Sequence, residues 1–580
     1  MTRTVPARRR TTLAAAVAAV SLAITAAAPA LSAPGNGNGN GNGSASQGQA
    51  RSNDLSATRG NKVNDAAALA PHLVGQTLDW DACDFGSERL NARFNAIPGT
   101  ACADVTVPRD WKNPEDGHTI TLRVAKTETS KGNPDRQGIA LVNPGGPGGS
   151  GLSLSRLGGW VPDNAGAGYD WIGFDPRGVG SSVPALSCDP DFFAPNRPYY
   201  SPNNTERLRA WTAKTRQYAS DCGAANAERL PHMRSSNTVY DMESIRKALG
   251  RWKLNFYGFS YGTHIAQIYA SKYPHRVRRF VLDGVVNTGK SWYDANLDQN
   301  LAFEESMRAW WEWIAENDDT YGLGTTGAEV RREWYRQRAR LANWPREGMG
   351  PSEWTDVFLS AGYYVYDWDY LASVFVAASQ DSDFGPAIDE YASANPSEPG
   401  SDNGYATYLA TECTDSPWPA SWAQWSKDGW RTHRAAPFES WGNMWFNNPC
   451  RVWPTDSGPR VYVNGSKAPA MLLIAETKDA ATPFSGALAT RQRFPKSVLI
   501  EGKDGSTHSG SLSGVDCVDD RVAAYLKSGT LPSRQAGNTS DVECEPVPPP
   551  TPTSPDARAA QSKGLENREL REIINEARAF

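Results

Sequence analysis

A serine set between glycines, Gly258-Phe259-Ser260-Tyr261-Gly262, is the strongest chemical signal in the chain. Residues 254–257 (Leu-Asn-Phe-Tyr) read as a buried strand running into it, and residues 263–273 carry Ile265, Ile268 and Tyr269 on one helical face behind it. A strand that turns directly into a helix holds the residue between them in a strained backbone conformation. Only small side chains two positions to either side fit around so sharp a turn, so G-x-S-x-G in this context reads as a nucleophile elbow. Ser260 then stands at a helix N-terminus, whose free amides favour negative charge beside it. A serine hydroxyl becomes a useful nucleophile when a histidine takes its proton and a carboxylate holds that histidine's tautomer.

On strand-elbow-helix scaffolds these partners follow in the order serine, acid, histidine. Seven histidines are present, and four follow Ser260: His264, His275, His433 and His508. The first two belong to the helix after the elbow or its end, and His433 lies in a stretch without strands. His508 follows an apolar run at 497–500, in a glycine-rich loop from 502 to 510, and is the expected base. For the acid, the run at 470–475 leads into Glu476-Thr477-Lys478-Asp479, which brings a carboxylate out at a strand end. Asp479 is preferred, with Glu476 and Asp283 as rivals.

A tetrahedral intermediate needs two N–H donors. One is the amide of the residue after the nucleophile, Tyr261; the other comes from the loop after an earlier strand. That loop is Asn143-Pro144-Gly145-Gly146-Pro147-Gly148-Gly149-Ser150-Gly151, and Gly146 is the expected donor. The glycines let the backbone approach a ligand closely, and no Gly-Lys-Ser/Thr follows to make the loop a phosphate cradle.

The elements that must position these groups are short apolar runs at 119–125, 138–142, 169–174, 254–257, 279–282, 470–475 and 497–500, separated by helical segments. This predicts an α/β fold of the α/β-hydrolase type, a mostly parallel sheet with helices on both faces. From 286 to 466 the strands stop and tryptophan- and tyrosine-rich helical sequence takes over, including Trp310-Trp311-Glu312-Trp313 and Tyr363-Tyr364-Val365-Tyr366. This is an expected helical lid, its aromatics mostly core with some facing substrate. The core would then comprise 70–285 and 467–545. Residues 546–580 form a Pro-rich tail, expected to be extended, with a short terminal helix.

The chain has 580 residues and a formal net charge of −5, so there is no basic field for nucleic acid or anionic lipid. Arg3 and Arg8-Arg9-Arg10, an Ala-rich run over 12–28 and Ala28-Pro29-Ala30 read as a signal peptide over 1–33. The run is shorter than the ~20 residues a membrane span needs. Residues 34–69, with their Gly-Asn repeat, read as a disordered leader or propeptide. Export favours disulfides, and the eight cysteines make an even set without a C-x-x-C pair. The expected bridges join neighbours: Cys83 with Cys102, Cys188 with Cys222, Cys413 with Cys450, and Cys517 with Cys544. No metal or other cofactor is expected, and the protein is expected to be a secreted monomer without stable membrane insertion.

The glycine loop at 143–151, Gly173-Phe174-Asp175-Pro176-Arg177-Gly178-Val179-Gly180-Ser181-Ser182, and Tyr257 to Thr263 together resemble the exported tripeptidyl aminopeptidases, which are prolyl-iminopeptidase-like serine peptidases. The segments around Asp479, Thr482, Pro483 and His508 resemble the C-terminal part of that family, and the likeness runs from about 78 to 544. The resemblance implies an exopeptidase acting on peptides or proteins with a free N-terminus, releasing short peptides, typically tripeptides, through an acyl-enzyme. A free amine needs anionic partners, and Glu412 and Asp415, in Thr411-Glu412-Cys413-Thr414-Asp415, match a Cys-x-Asp segment of the family. The family usually has Gly-His-Gly at its histidine, whereas this chain has Thr507-His508-Ser509.

Overall fold

The structure is a computed structural model that describes Leu73 and residues 75–553. All of these fall in one of two units of the chain, Val63–Phe580. The expected signal peptide, the leader and the terminal helix lie outside the described residues.

Nine strands form one sheet in the order β1-β2-β4-β3-β5-β6-β7-β8-β9. They are β1 Thr100–Pro108, β2 Thr119–Glu128, β3 Gly138–Asn143, β4 Tyr169–Phe174, β5 Leu254–Phe259, β6 Val277–Asp283, β7 Leu472–Glu476, β8 Val498–Gly502 and β9 Val542–Cys544. β2 pairs antiparallel with both β1 and β4; every pairing from β4 through β9 is parallel. Seven strands coincide with the runs read from the sequence. β4 and β5 are buried along their whole length, as expected of parallel strands covered on both faces. The C-terminal ends of β3 through β8 therefore lie along one edge of the sheet, where ligands bind in such folds.

Between β6 and β7 the chain builds helices, among them Trp292–Glu316, Gly327–Asn343, Asn403–Asp415 and Trp422–Ala435. Their tryptophans mostly form a core: Trp310, Trp311, Trp334 and Trp354 are fully buried. Trp334 stacks at tilted angles on Trp311 and Trp354 and lies 5.3 Å from the Phe438 ring. Removing such a side chain costs about 3–5 kcal/mol. Tyr363, Tyr364 and Tyr366 are only half-buried.

Disulfides join Cys83 to Cys102, Cys188 to Cys222, Cys413 to Cys450, and Cys517 to Cys544. The last ties the helix Asp516–Ser528 to β9. The proline-rich tail is extended to residue 553, and it is docked. The Val547 amide donates to Glu476 at 2.7 Å, the Thr553 amide donates to Asp369 at 3.0 Å, and both side chains are buried.

Candidate active site

Ser260 joins β5 to the helix Tyr261–Lys272 with φ 52° and ψ −123°, a left-handed conformation costly for any residue with a Cβ. The surrounding glycines are sterically required. A Cβ on Gly258 would lie 2.5 Å from the Phe256 ring, and one on Gly262 would lie 2.7 Å from the Asn143 carbonyl. One on Gly145, where φ is +108°, would lie 2.7 Å from the Ser260 Cβ and 3.1 Å from the Tyr261 amide nitrogen. The glycine loop after β3 thus runs directly against the elbow and the first amide of the helix.

Two hydrogen-bond systems hold that loop. Gly145 donates to the Asn143 side chain at 3.1 Å. Asp175, at the end of β4, accepts from the Ser150 hydroxyl at 2.6 Å, the Gly151 amide at 3.2 Å and the Ser181 amide at 2.8 Å. Burial pushes the Asp175 carboxyl up to about 6, against the pull of these donors. The turn after β4 is fixed in its own right by Arg177, which pairs with Asp241 at 2.7 Å with both side chains buried. Truncating either member of that pair would cost about 3–5 kcal/mol, because the other charge would be left buried and alone.

His508 lies in the loop after β8, and its Nδ1 is 2.8 and 3.0 Å from the two Asp479 carboxylate oxygens. Asp479 also accepts from the amides of Ala481 at 2.9 Å and Thr482 at 3.0 Å, and from the Thr482 hydroxyl at 2.7 Å. The carboxylate is therefore fully solvated by the protein although it is buried. The two rivals do other work. Asp283, at the end of β6, accepts from the Ser511 amide at 2.8 Å, and Glu476 accepts from the Thr507 amide and from Val547. Both brace the histidine loop from below, and burial pushes the Glu476 carboxyl up to about 8. The Asp283–Gly284 step lies against both residues: the Ser260 amide donates to the Asp283 carbonyl at 2.9 Å, and a Cβ on Gly284 would lie 2.8 Å from His508 Cε1.

Ser509, which stands where the resembled family has glycine, adopts φ 60°. That is the backbone region glycine enters without strain, so serine holds this turn at a conformational cost.

Glu412 and Asp415 lie on the helix Asn403–Asp415 and are buried. Gly404, at the start of this helix, packs so closely on Gly148 that a Cβ there would come within 2.4 Å of the Gly404 carbonyl. Asp415 accepts from the Ser235 amide at 2.8 Å and from Trp292 Nε1 at 3.3 Å. Ser235 also shares a 2.8 Å hydrogen bond with the Tyr261 hydroxyl, which links Asp415 to the residue after Ser260. Asp415, His264 and Trp292 line a small pocket with Lys290 and Arg460. Burial holds His264 neutral, its imidazole pushed down to about 3. Glu412 accepts from Asn296 at 3.4 Å and bonds with Tyr408, and burial pushes it up to about 8.

The helical insertion reaches the histidine directly. The His508 amide donates to the Tyr363 carbonyl at 2.7 Å, and the Val365 amide donates to the Thr507 hydroxyl at 3.0 Å. The rings of Tyr363 and Tyr364 lie 5.8 and 6.5 Å from the imidazole. Sequence reasoning singled out neither Tyr363 as a histidine partner nor the roles of Thr482 and Asp175. Asp175 stands out in Asp175-Pro176-Arg177-Gly178 only as part of a motif, and its bond to Ser150 25 residues away, like that of His508 to the distant Tyr363, carries no local signal.

A Cys-His-Asp/Glu grouping that could hold a metal ion is absent among the described residues. No helix among them is long and apolar enough to cross a membrane.

The α/β hydrolase fold family model matches residues 141–509. The chain is 39% identical over 500 residues to a protein of Streptomyces coelicolor named "Tripeptidyl aminopeptidase", covering 84% of this chain and 89% of that protein. It is 28% identical over 498 residues to "Serine protease Hip1" of Mycobacterium tuberculosis (81% and 92% covered) and 29% identical over 487 residues to "Carboxylesterase B" of the same species (79% and 89% covered). The chain belongs to the α/β-hydrolase family and, within it, to the tripeptidyl aminopeptidase-like serine peptidases.

Proposed function

We propose that this protein is an exported serine exopeptidase that removes tripeptides from the free N-termini of peptides and proteins. The observation that carries the reading is the buried Asp479–His508 pair, bonded at 2.8 Å with three further donors fixing the carboxylate, beside a serine on a strained strand-to-helix turn. In this scheme Ser260 attacks the third peptide carbonyl while His508 takes its proton. Asp479 holds the imidazole and stabilises its charged form. The amides of Gly146 and Tyr261 receive the oxyanion. His508 then passes the proton to the departing amine as the C–N bond breaks, which leaves an ester on Ser260 that water hydrolyses.

Glu412 and Asp415 are the anionic groups for the substrate's ammonium. Burial leaves Glu412 uncharged at neutral pH in the free enzyme, and the positive charge of a bound ammonium would favour loss of its proton to solvent and complete an ion pair. The insertion over 286–466 serves as the lid that carries both residues. Export through the N-terminal signal agrees with four disulfides. The relative named as a carboxylesterase supports a second reading, ester hydrolysis by the same three residues.

The test compares Ala-Ala-Pro-aminomethylcoumarin with a free amine, its N-acetyl form and a butyrate ester. Release from the free-amine peptide, with the acetyl form at least about tenfold slower, supports the exopeptidase. Hydrolysis of the ester alone overturns it in favour of the esterase.

A further inference from the structure

The aromatic residues of the insertion divide into two sets. Trp310, Trp311, Trp334 and Trp354 are sealed in its core. Tyr363, Tyr364 and Tyr366 retain exposure although they sit in a strongly apolar stretch between the buried Gly362 and Trp368. Their segment is fixed, because two hydrogen bonds lock it to Thr507 and His508. Tyr364 stacks on Tyr366 at 5.0 Å and 11°, so the two rings support each other as one rigid aromatic unit, with Tyr364 6.5 Å from the imidazole. A rigid aromatic pair that keeps partial exposure, on a segment hydrogen-bonded to the His508 loop, is placed to meet a ligand at that imidazole.

The chemistry of the imidazole says which part of a substrate would meet that face. His508 must deliver its proton to the nitrogen of the leaving amine, so the first residue beyond the scissile bond has its amine at the imidazole. Its side chain lies among the groups that flank the ring, and on the insertion side those groups are Tyr363 and Tyr364, the latter carrying Tyr366 stacked on it. We propose that Tyr364 and Tyr366 form the subsite for the side chain of the first leaving residue, and that this subsite favours aromatic and large apolar side chains. The proposal rests on the peptidase reading above. It concerns the leaving side of the bond, whereas Glu412 and Asp415 concern the amine end of the released peptide.

The test holds the acyl part constant as Ala-Ala-Pro and varies the next residue in Ala-Ala-Pro-Phe-amide, Ala-Ala-Pro-Leu-amide and Ala-Ala-Pro-Gly-amide, with tripeptide release followed by chromatography. The expected result is a kcat/KM for Phe about tenfold or more above that for Gly, in line with aromatic contact on an apolar face. This ratio falls severalfold in Tyr364→Ala and Tyr366→Ala and is retained in Tyr364→Phe, which keeps the ring and its packing. Equal rates for the three peptides in the wild type overturn the subsite while leaving the peptidase reading intact. A loss in the alanine variants that is the same for every leaving residue also overturns it, because the rings would then act on the acyl side. If the wild type cuts none of the free-amine peptides, the peptidase reading falls and the subsite falls with it.

Discussion

Replacing Asp479 with Asn separates the three carboxylates that the sequence left in competition. Asp479 offers its two oxygens to four donors: the Ala481 and Thr482 amides, the Thr482 hydroxyl and His508 Nδ1. The two amides both point at Oδ1, so the amide group of an asparagine must set its oxygen there and its NH2 at the Oδ2 position. That NH2 faces Thr482 Oγ1, which can turn to accept, and His508 Nδ1, which must now accept as well. The imidazole is thereby driven to carry its proton on Nε2, the position that has to receive the serine proton. Such a tautomer error costs about 10⁴ in kcat, or about 5.4 kcal/mol at 1.36 kcal/mol per tenfold. The assay is kcat on free-amine Ala-Ala-Pro-aminomethylcoumarin, with thermal unfolding to show that each variant folds. Glu476→Gln and Asp283→Asn, made in parallel, loosen the histidine loop without touching Nδ1, so each should lose far less. A loss below tenfold for Asp479→Asn, with a loss above a thousandfold for either of the others, would refute the assignment.

Thr482→Val keeps the shape but removes one hydrogen bond to a charged oxygen, a contribution of about 1.5–3 kcal/mol. It should lower kcat by roughly 10- to 150-fold, and an unchanged kcat would mean that Asp479 is held by the amides alone. Ser509→Gly relieves a left-handed residue at φ 60° and should raise stability in urea unfolding by about 1 kcal/mol; a lower midpoint would show that the serine side chain outweighs its backbone strain. Glu412 has a folded-state pKa of about 8 against an ordinary 4.5. The folded form then holds its proton more tightly than the unfolded form, so its contribution is full below pH 4.5 and is lost as pH rises towards 8. Within that window the slope approaches about 1.4 kcal/mol per pH unit. Glu412→Gln should therefore flatten the fall in melting temperature between pH 5 and pH 8.5, and an unaltered profile would count against a buried, protonated Glu412.

Local pattern made the sheet legible where strands are buried on both faces. β4 and β5 are continuous apolar runs, and β5 could be followed into its turn because glycines mark the only positions that tolerate the elbow. β1 is hard to read because its burial breaks period-two alternation at Cys102-Ala103 and Val107-Pro108 and it carries a proline at its end, and β9 because three residues make no pattern. Elimination among seven histidines points to His508 and its place after a strand points to Asp479, and the structure brings these two within hydrogen-bond distance. The braces were hidden for a different reason. Whether Glu476 or Asp479 faces the imidazole depends on how a four-residue turn rotates its side chains, and the turn after β7 points Glu476 back beneath the loop. The docking of Val547 and Thr553 was equally out of reach, because extended proline-rich sequence looks the same whether it is solvated or laid against a surface.

The central claim is that one serine, Ser260, carries the acyl group. The most direct measurement is to inactivate the enzyme with a fluorophosphonate and locate the adduct by peptide mass mapping, with His508→Ala as comparison. The account predicts one adduct per chain on the peptide containing Ser260, formed in proportion to lost peptidase activity and much more slowly in His508→Ala. Inactivation with the label on another residue, or full activity in a chain quantitatively labelled at Ser260, would contradict it.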